Sequence, residues 1–174
     1  MFATFSELPI DLTLYTDALI VRGTTRTRQR RITDILNASE APFVVLEDVS
    51  ATAHDGVSEP VTAAIAQINL DAVLFAVVDA RIETPQELRT PKTGYSALVS
   101  IPPFRVTGTI HLLTSALDLR EALTDLTGRF LPVTDAEFEA PSRGIGLHRA
   151  VMLAVNHHRA QILAQVPEPA DPRP

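Results

Sequence analysis

The chain has 174 residues, of which 45% are hydrophobic, and it carries a formal net charge of −6 and no cysteine. No uninterrupted apolar run approaches the roughly 18 residues of a membrane-spanning helix, so we expect a soluble protein without membrane partners. The missing cysteines exclude disulfides, a thiol nucleophile and Cys-ligated metal sites, and the negative charge disfavours a nucleic-acid binder that uses its whole surface.

The N-terminal part of the chain is predicted to begin with two strands. The opening segment, MFATFSELPIDL, has no basic residues, which argues against a secretory leader and favours a cytoplasmic protein. Apolar residues alternate with polar or small ones from Leu12 to Thr16, and residues 19–25 continue as a second strand that ends at Gly23.

An arginine-rich run, RGTTRTRQRR, leads from the second strand into the first helix. Arginines separated by threonines are suited to bind a phosphate backbone or an acidic protein surface through forked, charge-assisted hydrogen bonds. The alternative is a solvated loop whose arginines pair with nearby carboxylates, and the run lacks the aromatic residues that stack on bases. The candidate anion-binding or nucleic-acid-binding residues are Arg22, Arg26, Arg28, Arg30 and Arg31.

The rest of the first half is predicted as a helix, a strand, a second helix and a final strand. The first helix begins near Gln29 and has an apolar face that includes Ile32 and Ile35. The strand FVVLEDV follows from residue 43. Residues 58–69, SEPVTAAIAQIN, fit an amphipathic helix, with a strand as the alternative, and residues 74–82 form the final strand.

The second half is predicted to contain the same kinds of element. Two strands cover residues 98–113, with a break at Pro102 and Pro103 because proline cannot donate to a strand ladder. A helix capped by Ser115 follows, and Gly128 is placed to end it. The apolar face of this helix is formed by Leu119, Ala122, Leu123 and Leu126. A strand then begins at residue 130, and the final strand covers residues 152–160.

The similar order of elements in the two halves indicates an internal repeat. A repeat determines the architecture of the whole chain, so it takes precedence over predictions for single segments. Gly23 aligns with Gly108, and Phe43 aligns with Phe130. When the final strands 74–82 and 152–160 are aligned, the first half has nine extra residues before its final strand. The predicted organisation is a first repeat unit at 1–84, a linker at 85–96, a second unit at 97–166 and a disordered, proline-rich tail at 167–174.

Each unit resembles an uncharacterised bacterial repeat family, in which Gly-x-Leu/Ile-His precedes a helix of the form Leu-Ser-Asp-x-Leu-Asn and a strand Phe-Leu-x-Leu-Thr-Asp-Ala. The matching segments are GTIH at 108–111, LREALT at 119–124 and FLPVTDA at 130–136, with ITDILN at 32–37 in the first unit. A looser likeness is to Sm-type barrels. We therefore expect a mainly β protein of two tandem, duplicated SH3-like or Sm-like units with short helices, with an α+β split sheet as the alternative.

No segment defines an active site. Asp48 and Asp135 recur in both units, either as paired carboxylates for acid–base catalysis or as structural residues at strand ends. His157 and His158 are adjacent on a predicted strand, so they would point to opposite faces and would not chelate one metal ion. Gly-Ile-Gly at 144–146 is better explained by a hairpin turn than by a phosphate loop. We assign no catalytic residue, no metal ligand and no cofactor.

The sequence thus favours a non-enzymatic binding or assembly module with a protein partner or self-association. The first alternative is an Sm-like nucleic-acid binder that uses the arginine-rich run. The second is a small hydrolase-type enzyme, which would need a pocket lined by residues such as Asp48, Asp135 and His157.

Overall fold

The computed structural model describes residues 7–29, 31–38, 41–78, 92–113 and 118–167. Within these ranges the chain forms ten strands and two α-helices. The first half contains β1 (Leu8–Thr16), β2 (Leu19–Thr27), α1 (Ile32–Asn37), β3 (Phe43–Ala53), β4 (Val61–Asn69) and β5 (Val73–Val78). The second half contains β6 (Lys92–Ile101), β7 (Phe104–Leu113), α2 (Leu119–Thr124), β8 (Phe130–Ala140), β9 (Ile145–Asn156) and β10 (Ile162–Gln165).

All ten strands belong to one antiparallel sheet with the order β10-β6-β7-β8-β9-β5-β1-β2-β3-β4. The prediction of a mainly β protein with short helices is therefore confirmed. The sheet is not closed, since β10 and β4 each have a hydrogen-bonded neighbour on one side only among the described strands. The SH3-like or Sm-like barrels expected from the sequence are replaced by one continuous, open sheet.

The same order of pairing occurs in both halves of the sheet. Strands β1 to β5 pair in the order β5-β1-β2-β3-β4, and strands β6 to β10 pair in the order β10-β6-β7-β8-β9. The registers also correspond, because Phe43 lies opposite Asn69 while Phe130 lies opposite Asn156. In the second half, β9 therefore holds the place of β4, and β10 holds the place of β5. The two halves meet where β5 pairs with β9.

This correspondence corrects the alignment of the final strands. Residues 152–156 end the strand equivalent to β4, not the one equivalent to residues 74–82, and residues 157–160 follow that strand, so no extra residues are needed in the first half. The error followed from preferring a helix to the alternative of a strand for residues 58–69. Residues Val61–Asn69 form a strand instead, paired with β3 along its whole length, and this tertiary pairing overrides the helix-like spacing of its apolar residues.

Several element boundaries also differ from the sequence prediction. Helix α1 begins at Ile32, not near Gln29, and β6 includes residues 92–96 of the predicted linker. Asp118 caps α2 by accepting a hydrogen bond from the Glu121 N–H at 2.8 Å, and Ser115 lies outside the described residues. The rest of the predicted linker and residues 168–174 of the predicted tail also lie outside the described ranges.

Two hydrophobic cores lie on the sheet, one for each half. The first is covered by α1, whose buried residues are Ile32, Ile35 and Leu36, as its apolar face predicts. The second core receives the partly buried apolar face of α2 and contains Phe104 and Phe138.

Strands β5 and β9 contribute to both cores. Ala76 and Ala154 belong to the first core, whereas Phe75, Leu153 and Val155 belong to the second. Alternate residues of a strand point to opposite faces, so these central strands are buried on both faces. Each half therefore contributes residues to the core of the other, and the two halves are not independent globules.

Two asparagines join the halves through hydrogen bonds. The Asn37 side chain, at the end of α1, accepts from the Arg129 and Phe130 N–H groups at 2.9 and 2.8 Å and donates to the Phe130 carbonyl at 2.9 Å. The buried Asn156 Nδ2 donates to the carbonyls of Leu70 at 3.2 Å and Val73 at 2.9 Å. Each half thus satisfies backbone groups of the other with an amide side chain.

Aromatic rings pack where the halves adjoin. Tyr15 stacks on Phe75 with ring centroids 4.6 Å apart, and Phe104 meets Phe75 edge-on at 4.9 Å. His54 packs against Phe104 and holds Nε2 at 2.8 Å from the Thr16 carbonyl oxygen, which makes it part of this cluster. Aromatic pairs stabilise a protein beyond the effect of the apolar area that they bury, so this cluster fixes the relative position of the two halves.

Candidate functional site

The structure divides the arginine-rich run between a strand and a loop. Arg22 and Arg26 are exposed residues of β2, Arg28 is exposed beyond its end, and Arg31 directly precedes α1. Arg30 lies outside the described residues. Arg22 and Arg26 are four residues apart on β2, so their side chains point to the same face of the strand.

Carboxylates lie beside the cations of β2. The Arg26 Nε donates to both carboxylate oxygens of Glu47 at 3.3 and 3.2 Å. The Thr24 hydroxyl donates to Asp11 on the neighbouring strand at 2.6 Å. A shallow groove beside this pair is lined by Arg26, Glu47 and apolar residues such as Ile35 and Val44. The ion pair between Arg26 and Glu47 is of the kind that the alternative of arginines paired with nearby carboxylates predicts.

The recurring aspartates occupy β-bulges. Asp48 and Asp135 have φ angles of 50° and 49°, in the left-handed region. At each site the pairing register shifts opposite a glycine: Gly23 on β2 and Gly108 on β7. The structural interpretation is therefore the one that the geometry favours, although the aspartates lie within strands and not at their ends. They belong to different halves and are not brought together as a catalytic pair.

His111 lies on β7, three residues after Gly108, which is opposite the second bulge. Its Nε2 is 2.7 Å from the Thr134 hydroxyl oxygen, which occupies the position equivalent to Glu47 in the first half. Partial burial lowers the pKa of His111, Lys92 lowers it further, and Asp135 opposes this shift. His111 and Arg26 thus hold corresponding positions and make corresponding side-chain contacts.

His157 and His158 lie in the turn after β9, not on a strand as the sequence suggested. Their ring centroids are 4.4 Å apart, and the His157 Nε2 is 2.7 Å from the Gly128 carbonyl oxygen, to which it donates. Burial lowers the pKa of His157 despite this hydrogen bond. Across the described residues, no three His, Asp or Glu side chains converge into a group that could hold a metal ion.

Gly-Ile-Gly at 144–146 lies at the connection between β8 and β9. Gly144 has φ 70° and ends the single 3-10 turn Pro141–Arg143, and its N–H donates to the Pro141 carbonyl at 3.0 Å. This geometry is that of a hairpin connection, as the interpretation of Gly-Ile-Gly as a hairpin turn predicts.

The two edge strands are the most unusual surfaces of the described structure. Strand β4, with the sequence VTAAIAQIN, has no charged residue and no proline, and its Val61 and Ile65 are 72% and 63% exposed. Strand β10, with the sequence ILAQ, is also uncharged, and its Ile162 is 56% exposed. Natural edge strands are usually protected by charges, prolines, bulges or a short length like that of the four-residue β10, because their free N–H and C=O groups pair readily with another strand.

This site was not predicted from the sequence, because residues 61–69 fitted a helix, with a strand only as the alternative. The absence of charge over residues 61–69 was visible in the sequence, but it becomes informative only when the segment is known to be an edge strand.

Neither described helix, each six residues long, has the length and apolar character needed to cross a membrane. Comparisons with protein-family models, with curated proteins and with solved structures give no match. The function is therefore inferred from the geometry of this chain.

Proposed function

We propose that the protein is a non-enzymatic assembly module that associates through β4 and β10, the two edge strands of the described sheet. The observation that carries this proposal is the pair of uncharged edge strands, β4 and β10, each with an exposed isoleucine. Strand addition at such an edge satisfies main-chain hydrogen bonds and removes apolar side chains from water.

The proposal includes an origin of the fold by tandem duplication of one unit. The support for it is the equal order of strand pairing in the two halves, together with the equivalent bulges at Asp48 and Asp135. The resemblance to the uncharacterised repeat family is part of the same proposal. In this view, each repeat unit is an open, bent sheet and not a closed barrel, and a neighbouring unit covers its last strand.

The length of β4 also supports assembly. Its nine residues exceed the short edges that resist pairing, and the exposed Ile65 is flanked by small residues that would not obstruct an approaching strand. Strand β4 is therefore the edge at which a single charge should have the largest effect.

The test is the mass in solution by light scattering over a range of concentrations. We expect the wild-type mass to rise above the 18.9 kDa of one chain as concentration increases. Ile65→Lys should stay at the monomer mass, because a buried, unpaired lysine opposes strand addition. Val57→Lys, which adds the same charge at an 87% exposed position outside the strands, should behave like the wild type. A wild-type mass of one chain at every concentration would contradict the proposal.

Nucleic-acid binding by Arg22, Arg26, Arg28, Arg30 and Arg31 is the second candidate. The exposure of Arg22 and Arg28 favours it, whereas the ion pair between Arg26 and Glu47 opposes it. Binding to RNA or DNA that weakens steeply with salt and is lost when these arginines are replaced by alanine would support this function. No retention on nucleic acid at low salt would remove it. The hydrolase alternative gains no support, since Asp48, Asp135 and His157 lie in separate turns and bulges.

A further inference from the structure

We propose that β4 of one copy pairs antiparallel with β10 of a second copy, in the register of the internal β5–β9 junction. This inference rests on the proposed function and names its partner: a second copy of the same chain, in a head-to-tail arrangement. Its basis is that β4 and β10 are the equivalents of two strands that pair with each other inside the molecule, while β4 and β10 each have one neighbour only among the described strands.

The equivalence of β4 and β9 follows from their partners. Asn69 of β4 lies opposite Phe43 of β3, and Asn156 of β9 lies opposite Phe130 of β8, so Asn69 and Asn156 are equivalent. Moving back along both strands without a gap, Ile68 corresponds to Val155.

The equivalence of β5 and β10 follows in the same way. Leu12 lies opposite Gly23, and Ala97 lies opposite Gly108, which sets Tyr15 and Ser100 at corresponding positions. Their partners on the last strand of each half are Phe75 and Ile162. Phe75 and Ile162 are therefore equivalent.

The internal junction then defines the register between copies. Inside the molecule, Phe75 lies opposite Val155, Ala76 opposite Ala154 and Val77 opposite Leu153. The corresponding intermolecular pairs are Ile162 with Ile68, Leu163 with Gln67, and Ala164 with Ala66.

The exposed isoleucines occupy the positions that are buried across the internal junction. Met152, the equivalent of Ile65, belongs to the second half but packs against the core of the first. Phe75, the equivalent of Ile162, belongs to the first half but lies fully buried in the core of the second. In the proposed contact, Ile65 and Ile162 would each pack on the core of the neighbouring copy, which explains why large apolar residues are kept at both edges.

Asn69 corresponds to Asn156 and provides the polar part of the contact. Asn156 donates to the carbonyls of Leu70, in the turn before β5, and of Val73, the first residue of β5. The turn before β10 has the same hydrogen-bond pattern, since Ala160 N–H donates to the His157 carbonyl as Val73 N–H donates to that of Leu70. The exposed Asn69 side chain would therefore donate to the carbonyls of His157 and Ala160 of the next copy.

Two differences make the contact between copies weaker than the internal junction. Gln67 stands where the internal junction has Ala154, and Thr124 stands where it has Asn37, whose side chain makes three hydrogen bonds across the junction. Burial of a glutamine and loss of these bonds reduce the affinity, so the assembly should depend on concentration.

A contact between two different edges is heterologous, so it generates a ring when its rotation closes and a filament when it does not. It also makes complementary variants possible. Ile65→Lys blocks β4 but leaves β10 intact, and Ile162→Lys blocks β10 but leaves β4 intact. Each variant alone should be monomeric, and an equal mixture should form a complex of two chains and no larger species.

Cysteine cross-linking tests the register, because the chain has no cysteine of its own. Gln67→Cys mixed with Leu163→Cys should give a disulfide-linked pair of chains under oxidation, and neither variant should cross-link alone. Gln67→Cys mixed with Gln165→Cys is the control, since these positions lie two residues out of register. We expect at least about tenfold less product from the control pair, because a disulfide requires Cα atoms within roughly 7 Å.

The possible results separate this inference from the proposed function. If the wild type is monomeric throughout, both are overturned. If the wild type assembles but Ile162→Lys still dimerises, or Gln67→Cys cross-links alone, pairing of β4 with β4 replaces the head-to-tail contact and only the inference is overturned. If both lysine variants are monomeric and their mixture gives the two-chain complex, with cross-links in register, the inference stands.

Discussion

Gly108 lies directly opposite the β-bulge that Asp135 opens in β8. A Cβ atom at Gly108 would lie 2.7 Å from the Val133 Cγ1 and 2.8 Å from the Thr134 carbonyl oxygen. Asp135 itself adopts a φ of 49°, a left-handed conformation typical of the first residue of a bulge. The glycine and the aspartate therefore form one structural device, which bends the sheet around its core.

We expect Gly108→Ala to destabilise the protein by about 1–3 kcal/mol, because the added methyl group overlaps backbone atoms that cannot move freely. Gly146→Ala is the control, since its Cβ would meet nothing within 4 Å, and its effect should stay within about 0.5 kcal/mol. Urea unfolding of both variants measures the difference. Equal stability of the two variants would show that the close approach at Gly108 is not important.

Replacement of Asp135 tests whether the bulge needs a carboxylate or only a left-handed backbone. Asp135→Gly should keep or increase stability, and Asp135→Asn should change it little, because both residues tolerate positive φ. Asp135→Val should lose about 1–2 kcal/mol, since a β-branched residue resists this conformation. Thermal unfolding compares the series, and a large loss in Asp135→Asn would point instead to a role for the charge.

Asn156→Asp should destabilise the junction by roughly 3 kcal/mol or more. The substitution replaces the Nδ2 donor by an oxygen, which would face the carbonyls of Leu70 and Val73 in a buried site. The matched control is Asn69→Asp at the exposed equivalent position, which should cost far less at monomer concentrations. Similar losses in the two variants of the isolated monomer would contradict the assigned role of Asn156.

His157 should make the protein less stable as the pH falls below about 6.5, the ordinary pKa of histidine. Because the folded-state pKa of His157 is lowered, the unfolded state takes up a proton before the folded state does. The free energy of unfolding therefore falls from about pH 6.5 down to the folded-state pKa, and His111 adds to the effect for the same reason. His157→Gln should show a smaller fall between about pH 7 and 5 by denaturant titration. An unchanged slope would contradict this assignment.

The features that sequence reasoning predicted correctly are those set by local pattern or by recurrence. Ile32, Ile35 and Leu36 have helical spacing, and they are buried as that spacing implies. The repeated glycines and aspartates indicated equivalent structural positions, and both pairs lie at the bulges. Such features depend on residues that are close along the chain and on the backbone conformations that particular residue types favour. Both can be read from a sequence.

The edges of the sheet could not be predicted in the same way. Val61, Ile65 and Ile68 fit a helix as well as a strand, and only pairing with β3 decides between them. An edge is defined by the absence of a neighbouring strand, which depends on the arrangement of all ten strands. The candidate site therefore became visible only when the order of the sheet was known.

The membership of β5 in the second core has a consequence for synthesis on the ribosome. Phe75 is translated with the first half, but the strand that pairs with it, around Val155, emerges only when most of the chain has been made. At ordinary rates of elongation this delay is on the order of ten seconds. During that interval Phe75 has its neighbour Tyr15 on β1 but lacks its partners from the second half, so this side of β5 stays exposed, and chaperone occupancy should fall once residues 153–155 have emerged from the ribosome.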